Sequence, residues 1–211
     1  MAKHFEFTGD ERVFEGVTVH RIRALVDLPE LDVVAGDVGG WVESEDNVSD
    51  SAWVMGEAVV CQDARVMDSA VVSGSAVVSG QAKVRGKAKV NGSVTIMDNA
   101  QVCDDVELAG VITVSVNALV CGNALVTGEV LVTDNAQVRD DVEISGKVKF
   151  LGNAQVFGSA LISGSCRIED DAQVFEHAEL YGRVRVKDRA QVYGSAVVYG
   201  KVKIKGKSNV H

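Results

Sequence analysis

The sequence has few aromatic residues, a single proline and no long apolar run. Phe, Trp and Tyr make up 5% of the 211 residues although apolar residues make up 46%, so valine and alanine supply most of the apolar side chains. No run of about 18 apolar residues occurs, which argues against a transmembrane helix. The first residues, MAKHFEFTGDERVF, are polar and lack the apolar segment of a signal peptide. These absences predict a cytoplasmic protein that does not contact a membrane.

Side chains that build most active sites are scarce or scattered. The four cysteines, Cys61, Cys103, Cys121 and Cys166, fit no zinc-binding spacing and no secreted disulfide framework, so we predict reduced thiols. Of the four histidines only His177 lies within the complete repeats described below, which argues against a three-histidine zinc site. The sequence also lacks a glycine-rich phosphate loop and a G-x-S-x-G nucleophile motif. We therefore predict no catalytic residue, no metal and no cofactor.

The charges are distributed unevenly along the chain. The net charge is −9, but residues 1–146 carry 10 basic and 24 acidic side chains, whereas residues 147–211 carry 11 basic and 6 acidic ones. The first part is therefore acidic and the last part basic. The overall negative charge repels phosphate, which argues against nucleic acid as a partner of the whole chain.

A six-residue repeat runs from Ser51 to Gly206 without an insertion. SAWVMG, EAVVCQ and DARVMD begin a series of 26 hexads that ends with KVKIKG and is followed by the partial hexad KSNVH. The second position is Ala in 17 hexads, the fourth is Val, Ile or Leu in all but one, and the sixth is Gly in 16 and Asp in seven. Alternating apolar residues are typical of a strand, and Gly or Asp tolerates the left-handed backbone of a turn. Each hexad is therefore predicted to be a short strand followed by a corner.

One small and one branched inward side chain per hexad suit a narrow coil in which three hexads close a triangle. We name the three sides of this coil face 1 (residues 51–56 and every third hexad after them), face 2 (57–62 likewise) and face 3 (63–68 likewise). The similar stretches NAQVCDDVELAG, NAQVRDDVEISG and DAQVFEHAELYG begin at 99, 135 and 171, so each recurrence spans six hexads, or two coils. Stacked coils lie about 4.8 Å apart, a distance that lets amide side chains hydrogen-bond along the axis. Two such amide columns are predicted, of Asn99, Asn117, Asn135 and Asn153, and of Gln137, Gln155, Gln173 and Gln191.

The hexads resemble those of hexapeptide-repeat proteins. In addition, GDVGGWVESEDNVS at 36–49 with RIRAL at 21–25 resembles the head of the YdcK-like proteins of bacteria and prophages, which are often labelled acetyltransferases. The resemblance covers roughly residues 20–211 and implies a single-stranded, left-handed parallel β-helix. Together with the three-hexad coil it predicts an all-β fold of about nine triangular coils.

The resemblance also implies an alternative function, an acyltransferase that uses acyl-coenzyme A. Hexapeptide acyltransferases typically form trimers with a histidine base at the subunit cleft and a loop that leaves the coil. Here glycine falls one place later in the hexad than in those enzymes, and no loop interrupts residues 51–206. His177 is predicted to be a solvated corner residue. The acid pairs, such as Asp104–Asp105, are likewise predicted to be corner residues rather than calcium ligands.

Residues 1–32 do not follow the hexad. KHFEFTG and VFEGVTVHRIRALV are predicted strands, with Gly9 and Gly16 in turns. Because the end of a stacked coil exposes unpaired backbone groups and an open core, we predict that residues 1–32 form an N-terminal β cap over one continuous β-helix of residues 33–211. No comparable cap is predicted after KVKIKGKSNVH.

Face 2 carries the first candidate binding surface. Its outward third positions begin with Val59, Val77, Thr95, Thr113 and Leu131. The column then becomes basic at Lys149, Arg167, Arg185 and Lys203, with Lys147, Arg183 and Lys201 beside it. Like charges on adjacent strands destabilise a sheet, which indicates a partner for the basic part: the acidic region of a second subunit, an anionic polymer or another protein. The uncharged part is a candidate self-association surface.

Aromatic residues of the last third form the second candidate surface. One fifth-position column contains Phe157, Phe175 and Tyr193, and another contains Tyr181 and Tyr199. Aromatic side chains are enriched at protein interfaces, so these residues are candidate contacts of a homo-oligomer. The sequence therefore predicts a non-catalytic, self-associating scaffold or interaction protein, with the acyltransferase as the alternative.

Overall fold

The hexads fold into a left-handed parallel β-helix of about nine coils in a computed structural model that describes residues 3–211. Second- and fourth-position side chains point inward and form one continuous core along the axis, in which Ala118 and Val120 are fully buried. This confirms the predicted fold class. The two helical segments, Pro29–Leu31 and Glu45–Asn47, are single 3₁₀ turns, so none of the helices in the described residues is long enough to cross a membrane.

The strands are short on face 3 and longer where the chain passes from face 1 to face 2. In chain order they are β1 (Phe5–Phe14), β2 (Val17–Ala24), β3 (Val38–Val42), β4 (Trp53–Val54), β5 (Val59–Val60), β6 (Arg65–Val66), β7 (Val71–Val72), β8 (Val77–Val78), β9 (Lys83–Val84), β10 (Lys89–Ile96), β11 (Gln101–Val102), β12 (Glu107–Val114), β13 (Leu119–Val120), β14 (Leu125–Val132), β15 (Gln137–Val138), β16 (Glu143–Phe150), β17 (Gln155–Val156), β18 (Leu161–Gly164), β19 (Arg167–Ile168), β20 (Gln173–Val174), β21 (Glu179–Val186), β22 (Gln191–Val192), β23 (Val197–Ile204) and β24 (Asn209–Val210).

Successive coils pair in parallel, and the register between them is one coil length, or three hexads. In β11 and β13, Gln101 lies opposite Leu119 and Val102 opposite Val120. The backbone N–H of Gln101 donates to the carbonyl of Ala118 at 2.9 Å. Side chains at one hexad position therefore form columns along the axis, and chemistry at any point of the surface depends on residues one coil apart.

The corner from face 1 to face 2 differs from the predicted turn. Its sixth position is glycine in every coil from Gly56 to Gly200, and β10 runs through this corner at Gly92 without a break. At Gly128 the backbone φ is +93°, and a Cβ would lie 2.4 Å from the carbonyl oxygen of Gly146 in the next coil. The coils approach so closely here that a side chain does not fit. The prediction of a separate strand for each hexad is therefore wrong where β10, β12, β14, β16, β21 and β23 pass through this corner, and it holds in the other coils.

At the corner from face 3 to face 1, an acidic side chain alternates with glycine. The column reads Asp68, Gly86, Asp104, Gly122, Asp140, Gly158, Glu176, Gly194. Each carboxylate accepts the backbone N–H of the glycine one coil later, as Asp104 Oδ2 does from Gly122 at 3.2 Å and Asp140 Oδ2 from Gly158 at 2.9 Å. The alternation has a period of two coils, which accounts for the two-coil spacing of the most similar stretches.

Val116 is the one β-branched residue with a positive φ among the described residues, at +63° on the corner from face 2 to face 3. Such a conformation costs about 1–3 kcal/mol in a residue other than glycine, and Asn tolerates it better. We expect Val116→Asn to raise the free energy of unfolding in urea by about 1 kcal/mol. Val111→Asn is the matched control, because Val111 is 60% exposed and has no positive φ. An equal gain in both variants would contradict this explanation.

The predicted asparagine column is present, whereas the glutamine column is incomplete. Each Asn Nδ2 donates to the Oδ1 one coil later, at 3.2 Å from Asn99 to Asn117 and at 3.1 Å for the next two steps, and Asn153 donates to Asp171 at 2.9 Å. Among the glutamines, only Gln191 and Gln173 are joined, at 2.7 Å. The longer side chain has one more rotatable bond, so stacking orders it less well. The prediction of a continuous glutamine ladder is wrong.

Replacing Asn135 by alanine should remove two of these ladder hydrogen bonds. Because both are exposed to water, we expect a loss of about 1 kcal/mol in the free energy of unfolding, measured by urea denaturation. Asn91→Ala is the control, since Asn91 is exposed and its side chain forms no hydrogen bond within residues 3–211. An unchanged stability of Asn135→Ala would show that the column does not stabilise the stack.

The N-terminal strands extend the sheet and cover the start of face 2. β2 pairs antiparallel with both β1 and β3, and β3 pairs in parallel with β5. The guanidinium groups of Arg12 and Arg21 lie 4.3 and 4.9 Å from the ring of Trp41. Both arginines and Trp41 donate to the carboxylate of Glu57. The hydrogen bonds from Arg21 and Trp41, together with the charges of the two arginines, lower the pKa of Glu57. Val59 is buried beneath these strands, so its assignment to an exposed surface is wrong.

The boundary between a cap and a β-helix at residues 32 and 33 stays a prediction. The first two residues of the predicted cap, 1–2, lie outside the described residues. Within GDVGGWVESEDNVS, Gly39 and Gly40 lie where the N-terminal strands meet the first coil. A Cβ on Gly39 would lie 2.6 Å from Ile22 Cγ1, and one on Gly40 would lie 2.6 Å from Val54 Cγ1. The glycine pair of this stretch is therefore required by close packing.

Candidate functional site

The basic residues of face 2 occupy adjacent positions on successive coils. Lys149 lies opposite Arg167, Arg167 opposite Arg185, and Arg185 opposite Lys203. We use the name basic patch for the seven residues Lys147, Lys149, Arg167, Arg183, Arg185, Lys201 and Lys203. The structure brings these residues together as the three-hexad coil predicts, and their role in binding stays a prediction.

A buried carboxylate, which the sequence analysis missed, neutralises part of the basic patch. Glu169 is 5% exposed and forms ion pairs with both Arg167 and Arg185, the latter with an Nε–Oε1 distance of 2.5 Å. A carboxylate between two guanidinium groups offsets the repulsion between neighbouring coils. The signal was available in the sequence, because Glu169 follows Arg167 by two positions and therefore points to the same side of the strand.

The C-terminal part of the basic patch surrounds an open groove. Lys147 pairs with Glu129 at 2.7 Å, whereas Lys149, Arg183, Lys201 and Lys203 form no ion pair within residues 3–211. The groove has a volume of about 480 Å³ and is lined mainly by Ser165, Arg167, Arg183, Arg185, Lys201 and Lys203. Its charge favours an anionic group. Its open shape suits part of a macromolecule better than an enclosed small molecule.

The aromatic residues of face 3 form a stacked column. The ring centroids of Phe157 and Phe175 are 4.9 Å apart, and those of Phe175 and Tyr193 are 5.1 Å apart, with nearly parallel planes. Arg139 lies 5.3 Å from the Phe157 ring, and His211 stacks on Tyr193 at 5.5 Å. The ring faces therefore contact one another, and only ring edges are left for a partner.

The two tyrosines of face 1 form fewer contacts with neighbouring side chains than the aromatic residues of face 3 do. Tyr181 donates its hydroxyl hydrogen to Glu179 Oε2 at 2.8 Å, and this hydrogen bond raises the pKa of Tyr181. Tyr199 lies opposite Tyr181 on the next coil and is 75% exposed. The role of both aromatic columns as oligomer contacts stays a prediction.

The histidine and the acid pairs that the sequence analysis weighed as catalytic or metal-binding residues lie at corners of the coil. His177 is exposed at a corner, and its side chain forms no hydrogen bond within the described chain, residues 3–211. Asp104, Asp140 and Asp170 each accept a backbone N–H from the next coil, which fits their predicted role at corners. These contacts of the three aspartates join neighbouring coils.

Three comparisons with known proteins were made, and one of them found a match. No protein-family model matches the chain, and no curated protein matches it. Among solved structures, the chain is similar to the UDP-N-acetylglucosamine acyltransferase of Francisella novicida, with 14% sequence identity and a TM-score of 0.28. The match covers 72% of this chain and 62% of that chain, which is less than two thirds of the acyltransferase.

Proposed function

We propose that the protein is a non-catalytic β-helical interaction scaffold that self-associates, with the basic patch of one copy bound to the acidic N-terminal region of another. The observation that carries this proposal is the separation of charge along the molecule. Residues 1–50 contain 12 acidic and 4 basic side chains, whereas residues 147–211 contain 6 acidic and 11 basic ones. The two regions lie at opposite ends of a stack of about nine coils, so neither neutralises the other within one copy.

The acidic region has carboxylates available for such a contact. Glu45 pairs with Lys3 and Glu6 with Arg23, but Glu15, Glu30 and Asp46 form no ion pair within residues 3–211. They lie on a surface that faces solvent in the isolated chain. Complementary potentials of this kind steer association and select the partner more than they add affinity.

If two copies pair in opposite directions, the basic patch of each copy can contact the acidic N-terminal region of the other. Stacking about nine coils at about 4.8 Å gives a rod of about 40 Å. Two rods side by side in opposite directions place each basic patch near the acidic region of the other, and a two-fold axis closes the assembly as a dimer. The partly exposed residues Val77, Thr95, Thr113 and Leu131 lie between the two charged regions on face 2 and would supply an uncharged centre to the contact.

The test is solution mass by light scattering over a concentration series at low and high salt. We expect a dimer at low salt that dissociates as salt screens the charges. The double variant Lys201→Glu/Lys203→Glu should be monomeric under conditions in which the unchanged chain is a dimer. Lys83→Glu/Lys87→Glu is the matched control, because it makes the same change in net charge at exposed residues on the other two faces.

A monodisperse monomer at every concentration and salt would overturn self-association. Dissociation of the control to the same extent would show that net charge, rather than the basic patch, governs assembly. If the chain is a monomer, binding of polyglutamate to the unchanged chain but not to the Lys201→Glu/Lys203→Glu variant would instead support an external anionic partner. The cytoplasmic location and the YdcK-like relationship are part of the same proposal, and the latter is supported by the stretches RIRAL and GDVGGWVESEDNVS.

The alternative function is an acyltransferase that binds acyl-coenzyme A, and the cations around the groove favour it to the extent that they suit phosphate groups. Calorimetric titration with acetyl-coenzyme A at millimolar concentration distinguishes the two functions. We expect no saturable binding. A stable trimer that binds acetyl-coenzyme A, and loses that binding in Lys201→Glu/Lys203→Glu, would replace the scaffold proposal by the acyltransferase.

A further inference from the structure

Two cysteines that are far apart in the sequence meet on face 3. Cys103 and Cys121 occupy the fifth position of successive coils and are separated by one coil length. Asp104 stands at the corner beside Cys103. The two sulfur atoms and a carboxylate oxygen of Asp104 all lie within 4.8 Å of one another.

Backbone hydrogen bonds and strand pairing between the two coils hold these three residues in place. Strands β11 and β13 pair directly before the two cysteines, and the N–H of Cys103 donates to the carbonyl of Val120 at 3.0 Å. Asp104 Oδ2 accepts the N–H of Gly122 at 3.2 Å, which orients the carboxylate and leaves its other oxygen available. Cys103 is buried, Cys121 is half-buried and Asp104 is exposed, so solvent reaches the cluster from one side.

Arginines lie on either side of the cysteines in the same column. Arg85 precedes Cys103 by one coil, and Arg139 follows Cys121 by one coil. The Nε of Arg139 is buried and has no hydrogen-bond partner within the described residues. The positive charge of Arg139 acts to lower the pKa of Cys121. A thiolate on Cys121 would therefore place a negative charge near this arginine. The charge of Arg85 likewise acts to lower the pKa of Cys103, so the two arginines oppose the effect of burial on the thiols without outweighing it.

We propose that Cys103, Cys121 and Asp104 bind a thiophilic divalent cation of the Zn²⁺ class through two thiolate sulfurs and one carboxylate oxygen, with water in the fourth position. A tetrahedral Zn²⁺ with bonds of about 2.3 Å to sulfur and about 2.1 Å to oxygen keeps its ligand atoms roughly 3.5–3.8 Å apart. The observed cluster needs only side-chain adjustments of about an ångström to reach this geometry. Three protein ligands and an open fourth position distinguish the site from a closed structural zinc site.

Binding must release protons, because the cysteines are thiols in the absence of a metal. Burial, together with the charges of Cys121 and Asp104, raises the pKa of Cys103 to about 12, and burial also raises the pKa of Cys121. One cation forms two metal–sulfur bonds, and two S–H bonds break to release two protons to solvent. As long as the pH stays below the pKa values of both thiols, the apparent affinity for the metal should therefore rise about 100-fold for each unit by which the pH is increased.

The experiment is a titration of the reduced protein with Cd²⁺, followed by the ultraviolet thiolate-to-cadmium charge-transfer band, with Zn²⁺ as competitor. We expect saturation at one equivalent and displacement by Zn²⁺. Cys103→Ser and Cys121→Ser should each lower the affinity about 100-fold or more, since losing even an outer-shell partner typically costs 10–100-fold. Serine occupies the same hexad position at residues 73, 79 and 115, so both variants should fold.

Cys166→Ala is the matched control. Cys166 is buried at position 2 of its hexad, where 17 hexads have alanine. The Cys166→Ala variant should therefore fold and bind cadmium as the unchanged chain does. Asp104→Asn keeps a residue that tolerates the left-handed corner and should weaken binding while both thiolate bonds remain. The proposal is overturned if no band saturates at one equivalent, or if Cys103→Ser and Cys121→Ser bind cadmium as the unchanged chain does. If Asp104→Asn binds cadmium with the same affinity as the unchanged chain, the Asp104 carboxylate is not a ligand.

Discussion

Val120→Asp should lower the free energy of unfolding by about 4 kcal/mol or more, because it places an unpaired carboxylate in a narrow apolar core. Val120 is fully buried and lies within a column of second- and fourth-position Ala and Val side chains. Three sheet faces surround this position, so the carboxylate cannot turn towards water without opening a coil. Urea denaturation followed by far-ultraviolet circular dichroism measures the loss.

Leu119→Asp is the control for this variant. Leu119 precedes Val120 in β13, but its side chain points outward and is partly exposed. The same chemical change should therefore cost less than about 1 kcal/mol there. Native-like stability of Val120→Asp, or equal losses in the two variants, would show that the inward and outward positions of the hexad are assigned incorrectly.

Gly128→Ala should also be severely destabilising, for a different reason. The added Cβ would meet the carbonyl oxygen of Gly146 at 2.4 Å and its nitrogen at 2.8 Å, and backbone atoms cannot move without displacing a whole coil. The φ of +93° adds strain. We expect a loss of about 3–5 kcal/mol in the free energy of unfolding, the sum of backbone strain and overpacking.

Gly200→Ala separates the two contributions. Gly200 belongs to the same corner column and has a φ of +83°, but a Cβ there would have no atom within 4 Å. Only the conformational strain remains, so this variant should lose about 1–2 kcal/mol. If Gly128→Ala and Gly200→Ala lose equal stability in urea, close approach between coils does not explain why this corner contains glycine throughout.

Much of the architecture could be predicted because each hexad position has its own chemistry. Alternating Ala and Val predicts inward side chains, and the Asn column, which recurs once per coil, predicts both the coil length and its axial hydrogen bonds. The sixth position predicts corners, and every non-glycine residue there, including Val116, adopts a positive φ. These features depend on local conformation and on one repeat length, both of which are present in a single chain.

Other features required the positions of the coils relative to one another. The glycine column at one corner and the alternation of Asp and Gly at another involve backbone contacts and hydrogen bonds between neighbouring coils, which the hexad pattern alone does not specify. The burial of Val59 depends on the N-terminal strands folding back over face 2. The neutralisation of Arg167 and Arg185 by Glu169 depends on side-chain rotamers, and the sequence specifies only that the three residues share a face.

The proximity of Cys103 and Cys121 could be predicted from the sequence only in part. Their spacing matches no known metal motif along the chain, yet it equals one coil, so the repeat length alone places them in one column. Whether the two sulfurs and the Asp104 carboxylate converge depends on how the corner is oriented by its hydrogen bond to Gly122. The sequence by itself determined the coil, its core and which residues share a column, because these follow from periodicity. The tertiary structure decided which members of a column touch, because contacts across about 4.8 Å depend on side-chain length, rotamer and the close approach of backbones at each corner.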